Sequence, residues 1–388
     1  MKNILVIGFS TRNIICSGTR AGYNMYSIDA FCDHDLMQCA AGARKLELSG
    51  TFDIKDISPG QLEALIKAFD VEFDAIIAGS GFEAICPELL PYSLLGNEPQ
   101  TMAAVSDKYR FSKIMGRLGL PHPKTVLLSE IGSLRLPVMV KPACSGGGIF
   151  NMKVENEKDM GILREKLKDR SFGPAKGSFI AQEYISGTPV SVSLISTKEK
   201  ATAVAVNEQL VGTPWLTDIP FAYCGNITPY DTPWAPEMKR IAEELILELG
   251  LTGSIGVDLI IGENGPVVIE VNARFQGSLD TVEMATGINL FNAHLRAFKG
   301  EACIAPAREI QYAGRAILYA QKDIVISAAA HRALLCQNVC DIPASGQLIN
   351  AGEPVISVIC TGKDREDVLS CLKESVMFIR ETLNLLQS

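Results

Sequence analysis

The chain has 388 residues, of which 47% are hydrophobic and 21% charged, with 33 Gly, 19 Pro and a formal net charge of -8. That length exceeds one ordinary core and calls for two or three domains, and the composition is that of a turn-rich globular protein, not a disordered one. An acidic chain with no run of Lys and Arg offers no footprint for a long nucleic acid, and apolar runs such as Ile4 to Ile7 fall far short of the ~20 residues a membrane helix needs.

The opening Met1-Lys2-Asn3-Ile4-Leu5-Val6 enters a strand directly, so neither a signal nor a transit peptide is expected, and the expected location is the cytoplasm. The eleven cysteines lie in apolar contexts such as Ile15-Cys16 and Ile359-Cys360 and are expected to be reduced, buried thiols. No paired C-x-x-C spacing marks a zinc site.

In chain order, residues 3–8 read as an aliphatic strand, followed by a helix reaching Gly22 and a strand over 25–30. Ser58, Pro59 and Gln61 spell a helix start, with Leu62, Leu65, Ile66 and Phe69 on one stripe, and 74–78 is the next strand. This alternation predicts a doubly wound parallel sheet over residues 1–100. Gly8, Gly18 and Gly22 do not make a dinucleotide fingerprint, so the unit reads as a scaffold lending a pocket its strand C-termini, with Glu83 as a lining candidate.

A second unit spans 101–304. Ser106 or Asp107 caps a helix carrying Phe111, Ile114, Met115 and Leu118, and Gly119 ends it. Strands at 138–140 and 179–182 flank Ser145-Gly146-Gly147-Gly148, and a helix over 236–249 leads to strands at 256–261 and 267–271. Residues 305–388 make a small third unit, with strands near 313–319 and 355–361 and a last helix bearing Val368, Leu372, Val376 and Ile379.

Two segments carry chemistry. In Val140-Lys141-Pro142-Ala143-Cys144-Ser145-Gly146-Gly147-Gly148, a lysine at a strand end precedes glycines whose amides can turn toward an anion; the competing reading is a glycine hairpin with a solvated lysine. In the second, Glu270 and Asn272 leave one face of a strand, and Asp258 stands on the preceding strand of the hairpin. Two carboxylates and an amide oxygen suit Mg2+, with Arg274 in reach of a phosphate oxygen; the competing reading is a polar outer hairpin face. The flanking runs are aliphatic, so a charged stripe among them is costly unless occupied. The four histidines, His34, His122, His294 and His331, lie far apart and read as surface or packing residues.

These segments, with Lys108 and Ala181-Gln182-Glu183-Tyr184-Ile185-Ser186-Gly187, resemble the ATP-grasp superfamily. Asn272-Ala273-Arg274-Phe275-Gln276-Gly277-Ser278 and the tail Asp341-Ile342-Pro343 with Gly352-Glu353-Pro354 extend the likeness to the archaeal predicted ATP-dependent carboligases related to biotin carboxylase. The resemblance implies an α/β (α+β) ATP-grasp fold with an N-terminal doubly wound parallel-sheet domain, a lid over about 121–190 and a small C-terminal domain. It also implies that Lys108, Lys141, Ser145, Gly146 and Gly147 contact ATP phosphates and that Gln182, Glu183, Tyr184 and Ile185 form the adenine hinge. Asp258, Glu270 and Asn272 are the implied ligands of Mg2+, with Mn2+ as the alternative ion, and Lys141 and Arg274 the implied catalytic cations. Where many relatives carry a second Glu for the ribose, this chain has Pro189, then Ser191 and Ser193.

The implied reaction is carboxylate–amine ligation through an acyl phosphate, with small-molecule carboxylate and amine substrates and a homodimer as the usual assembly. Rival readings are a bicarbonate-using carboxylase and a non-catalytic nucleotide-binding sensor; the absent fingerprint sets aside an NAD-linked oxidoreductase.

Overall fold

A computed structural model describes residues 2–47, 60–82, 92–168, 178–301 and 310–385. The first unit runs β1 (Asn3–Gly8), α1 (Arg12–Arg20), β2 (Asn24–Asp29), α2 (His34–Cys39), β3 (Gly42–Lys45), α3 (Gln61–Lys67) and β4 (Ala75–Ala78). Its sheet is parallel in the order β3-β2-β1-β4. β1 is aliphatic on both faces because both are covered. Leu5 and Ile7 pack with Ile28, Leu62, Ile66 and Phe82, while Ile4 and Val6 pack with α1 and reach Phe275 and Phe291 of the body. The expected cap at Ser58 and Pro59, and Glu83, lie outside the described residues.

Two helices, α4 (Pro99–Ser106) and α5 (Lys108–Leu118), lead into the second unit. Asp107 is the cap of α5, its carboxylate accepting from the N–H groups of Tyr109 and Arg110, and Gly119 at φ +67° stops the helix. Next come β5 (Thr125–Leu127), β6 (Val138–Pro142), β7 (Met152–Val154), α6 (Glu157–Lys166) and β8 (Phe179–Glu183). They form a small antiparallel sheet, β5-β8-β6-β7.

The central sheet follows with β9 (Thr188–Ser196), β10 (Ala201–Val211), β11 (Tyr223–Thr228), α7 (Ala235–Glu248), β12 (Gly253–Gly262), β13 (Gly265–Asn272), α8 (Leu279–Thr286) and α9 (Leu290–Phe298). The chain then makes β14 (Tyr312–Tyr319), β15 (Ile324–Val325), α10 (Ala328–Leu334), β16 (Val339–Cys340), β17 (Leu348–Ile349), β18 (Pro354–Gly362) and α11 (Arg365–Leu385). Eight strands pair antiparallel in the order β13-β12-β9-β10-β11-β14-β18-β16. Residues on both sides of the expected boundary at 304 therefore share one sheet, through β11 and β14. The sequence reading placed no strand over 188–228, yet β9, β10 and β11 are the middle of it.

Alternation sorts the two faces of this sheet. Val190, Val192, Val257 and Leu259 meet Met238, Ile241 and Leu245 of α7. Between them, Ser191, Ser193 and Asp258 turn the other way, and Ser193 hydroxyl stands 3.2 Å from that of Ser278, beside α8.

A buried charge network ties the three parts of the chain together. The Arg12 guanidinium donates to Asp341 at 2.9 Å and to Asp280 at 3.0 Å, and Arg315 on β14 donates to the other Asp341 oxygen at 2.5 Å. Burial works against the Asp341 carboxylate, but Arg12 and Arg315 outweigh it and hold its pKa well below the usual carboxylate range.

The expectation of reduced thiols throughout is corrected at two places: Cys16 is bonded to Cys39 and Cys360 to Cys371. Neither pair is close in sequence, with separations of 23 and 11; packing of α1 on α2 and of α11 on β18 brings the sulfurs together. Among the described residues, no helix is long and apolar enough to cross a membrane.

His294 of α9 is a packing residue, as expected. Its ring lies between Phe275 and Phe298 at 4.5 and 4.9 Å, and Nδ1 accepts from the Ser254 N–H at 2.9 Å. Burial pushes its pKa down to about 4. As pH falls only the unfolded chain takes this proton, so the contribution is intact above about pH 6.5 and shrinks as pH falls toward 4. Urea unfolding should show a loss on the order of 2 kcal/mol between about pH 7 and pH 5 that is absent in His294→Phe.

Candidate active site

The site is built on the β12–β13 hairpin. Asp258 stands opposite Glu270 and Gly256 opposite Asn272, with a bulge immediately beyond Asp258. The three ligand candidates thus share the face turned away from α7, as the two-residue period requires. Asn272 Nδ2 donates to Asp258 Oδ2 at 2.9 Å, and Arg274 donates to Asn272 Oδ1 at 2.9 Å. Gln209 of β10 completes the set, its Nε2 donating to Asp258 Oδ1 at 2.9 Å. Gln209 escaped the sequence reading because the strand carrying it did.

Two lysines face these carboxylates. Lys108, the first residue of α5, is buried with Nζ 3.2 Å from Glu270 Oε2, and it donates to the Ser145 carbonyl of the Gly-rich loop at 2.6 Å. Lys141, buried at the end of β6, has its pKa lowered to about 8 by burial and then by Lys108. Burial disfavours the Glu270 carboxylate, but Lys108 and then Lys141 hold its pKa below the usual value. Asp258 goes the other way, pushed up to about 7 by burial and then by Glu270. Two acids pressed together with opposite shifts mark a place that lacks one more positive charge.

The Gly-rich loop follows Lys141 directly, with Gly147 and Gly148 at φ +73° and +72°. Ser145 is half-buried, and Gly146 and Gly147 are exposed at its crest. The hinge segment is carried at the far end of β12: Asp258 pairs with Ser191, Ile260 with Pro189 and Ile261 with Thr188. The backbone after Ile185 therefore lies about three residues along the strand from Asp258, roughly 10 Å away. The hinge side chains do not turn to the carboxylates. Gln182 donates to Thr125 Oγ1 at 2.8 Å, Glu183 accepts from the Lys124 N–H at 3.4 Å, and the Tyr184 ring lies under Lys153 Nζ at 4.2 Å. Tyr184 and Ile185 are half-buried.

Ser191 and Ser193, which stand near the missing ribose carboxylate, are both taken by Asn207 Nδ2 at 3.0 Å. Thr228 donates in turn to Asn207 Oδ1 at 2.7 Å, so the floor of the site is a satisfied polar layer.

Residues 105–278 match the family model of the ATP-grasp domain. Over 380 residues the chain is 26% identical to an uncharacterised protein of Methanocaldococcus jannaschii, covering 95% of this chain and 91% of that protein. It is 25% identical over 288 residues to the 3-methyl-D-ornithine–L-lysine ligase of Methanosarcina barkeri, covering 69% of this chain and 70% of that one. The biotin carboxylase of Campylobacter jejuni, 17% identical, shares the fold at a TM-score of 0.73 over 96% of this chain and 90% of that structure. The matched span holds Lys108, Lys141, the Gly-rich loop, the hinge and the Asp258–Glu270–Asn272 group, so residues 105–278 form a domain of the ATP-grasp kind.

Asp258→Asn removes one of two abutting half-buried acids. Because the folded-state pKa of Asp258 is raised, its ionisation weakens the fold as pH rises from about 4 through 7. Above that window the variant should be more stable than the parent by about 1 to 2 kcal/mol in ligand-free urea unfolding, and no more stable near pH 4.

Proposed function

We propose that this ligase joins a carboxylate to an amine through an acyl phosphate, releasing ADP and phosphate. The observation that carries the proposal is the Lys108 ammonium, which bridges the Glu270 carboxylate and the Ser145 carbonyl. One cation thereby links the acidic pair to the loop whose amides suit a triphosphate.

The donor set fits a hard divalent ion. Among the described residues no group of three or more His, Cys, Asp or Glu is placed to hold a metal. Asp258 and Glu270 with the Asn272 amide oxygen would instead leave the remaining positions to phosphate oxygens, which is how Mg2+ is commonly held in nucleotide sites. When bound, Mg2+ (or Mn2+) would neutralise charge on the transferred phosphoryl group. Lys108 and Lys141 would offset the phosphate charge, and Arg274, next to Asn272, would reach a phosphoryl oxygen. Gln182 to Ile185 would receive the adenine along their backbone.

A carboxylate oxygen attacks the γ-phosphorus and ADP leaves. The amine nitrogen then attacks the acyl carbon, phosphate departs with the bonding electrons, and the amine gives up a proton. The Methanosarcina ligase supports this reading by the two amino acids in its name; the reaction class is carried over here, and its substrates are not.

The test is ADP formation from ATP and Mg2+ over a matrix of carboxylates and amines, bicarbonate included. Amine-dependent turnover is expected, and Glu270→Gln should lower it on the order of 100-fold, equivalent to about 3 kcal/mol of transition-state stabilisation. Bicarbonate-dependent turnover would move the assignment to carboxylation, and ATP binding without turnover on any pair would overturn the ligase reading.

A further inference from the structure

The Gly-rich loop is held at two points. Lys108 Nζ takes the Ser145 carbonyl at 2.6 Å, and the N–H of Tyr223, the first residue of β11, donates to the Gly147 carbonyl at 3.1 Å. The second contact depends on a missing side chain. A Cβ on Gly148, whose φ is +72°, would lie 1.9 Å from the Phe221 carbonyl oxygen. Only glycine allows the loop to lie this close to residues 221–223.

Tyr223 is fixed from several sides. The Tyr319 hydroxyl on β14 donates to its carbonyl at 2.8 Å, and its own hydroxyl donates to Asn226 Oδ1 at 3.2 Å. Its ring lies against Gly277, where a Cβ would come within 3.2 Å, and Arg315, also on β14, donates to the Gly277 carbonyl at 3.1 Å. One residue therefore stands between the Gly-rich loop and the turn that follows Arg274, and the C-terminal strands brace both.

We propose that Tyr223, braced by Tyr319, is a positioning residue of the reaction: it is the seat on which the Gly-rich loop closes, and that closure keeps water from the activated intermediate. The inference rests on the acyl-phosphate reading. When the seat is lost, water attacks the acyl phosphate and returns carboxylate and phosphate, so ATP is consumed without amide being formed.

The experiment compares the full-length parent with Gly148→Ala and Tyr319→Phe, measuring ADP and amide together, and following hydrogen exchange of the Tyr223 amide. The parent should form one ADP per amide. Gly148→Ala should raise that ratio severalfold and speed exchange at Tyr223, with Tyr319→Phe between the two and all three proteins unfolding at similar temperatures. A ratio unchanged in Gly148→Ala although Tyr223 exchange has quickened would overturn the seal, and unchanged exchange would overturn the seat. A parent that makes no amide would sink the ligase reading, while the exchange arm still decides whether the seat exists.

Discussion

Two acids, Asp258 and Glu270, share one half-buried patch with two buried ammonium groups, Lys108 and Lys141. In water such groups would keep their own solvation. Here each is held by the others, so the charge state of one sets that of the next. The arrangement is poised for more charge of both signs. On the proposed reading, phosphate oxygens would enter beside the lysines and a divalent ion between the carboxylates. The surrounding elements serve this balance. The β12–β13 hairpin fixes the acids, the Asp107 cap starts α5 with Lys108 in place, and β6 delivers Lys141 from the small four-stranded sheet.

A second charge cluster addresses a different problem. Arg12, Asp280, Asp341 and Arg315 come from the first unit, the start of α8 and the C-terminal strands, and all are nearly out of contact with water. Buried ion pairs add little net stability over apolar packing, but breaking one leaves an uncompensated charge. A network of this kind enforces a single relative placement of the segments it joins. Asp341 is held with φ +58°, an unusual conformation for a residue with a side chain, and its backbone N–H is bonded to Asp35.

The parts of the site legible in the sequence were those written in short-range spacing. Glu270 and Asn272 are two apart in an aliphatic strand, Lys141 lies a few residues before the run Gly146-Gly147-Gly148, and Asp107 sits immediately before Lys108. Each of those patterns has a local physical cause. What stayed hidden depends on partners far along the chain: Gln209 meets Asp258 across 49 residues, and Tyr319 meets Tyr223 across 96. The strands β9 to β11 were missed for a related reason. Their buried side chains alternate Val with Ser and Asn, and that polarity makes sense only once Asn207 is seen binding Ser191 and Ser193. The two disulfides were hidden likewise, since helix packing and not cysteine spacing pairs the sulfurs.

The pairing of β11 with β14 sets the size of the smallest piece that can stand alone. The span matching the ATP-grasp domain ends at residue 278, yet the sheet continues through β14, β18 and β16. A fragment cut after that span would leave the edge of β11 unpaired, with the N–H and C=O groups of Gly225 to Thr228 free to recruit a strand from another molecule. Ile227, buried against the C-terminal core, would face solvent as well. The recognisable catalytic domain is therefore smaller than the foldable one, and dissecting this enzyme for expression at its family boundary would yield a sticky sheet in place of a minimal ligase.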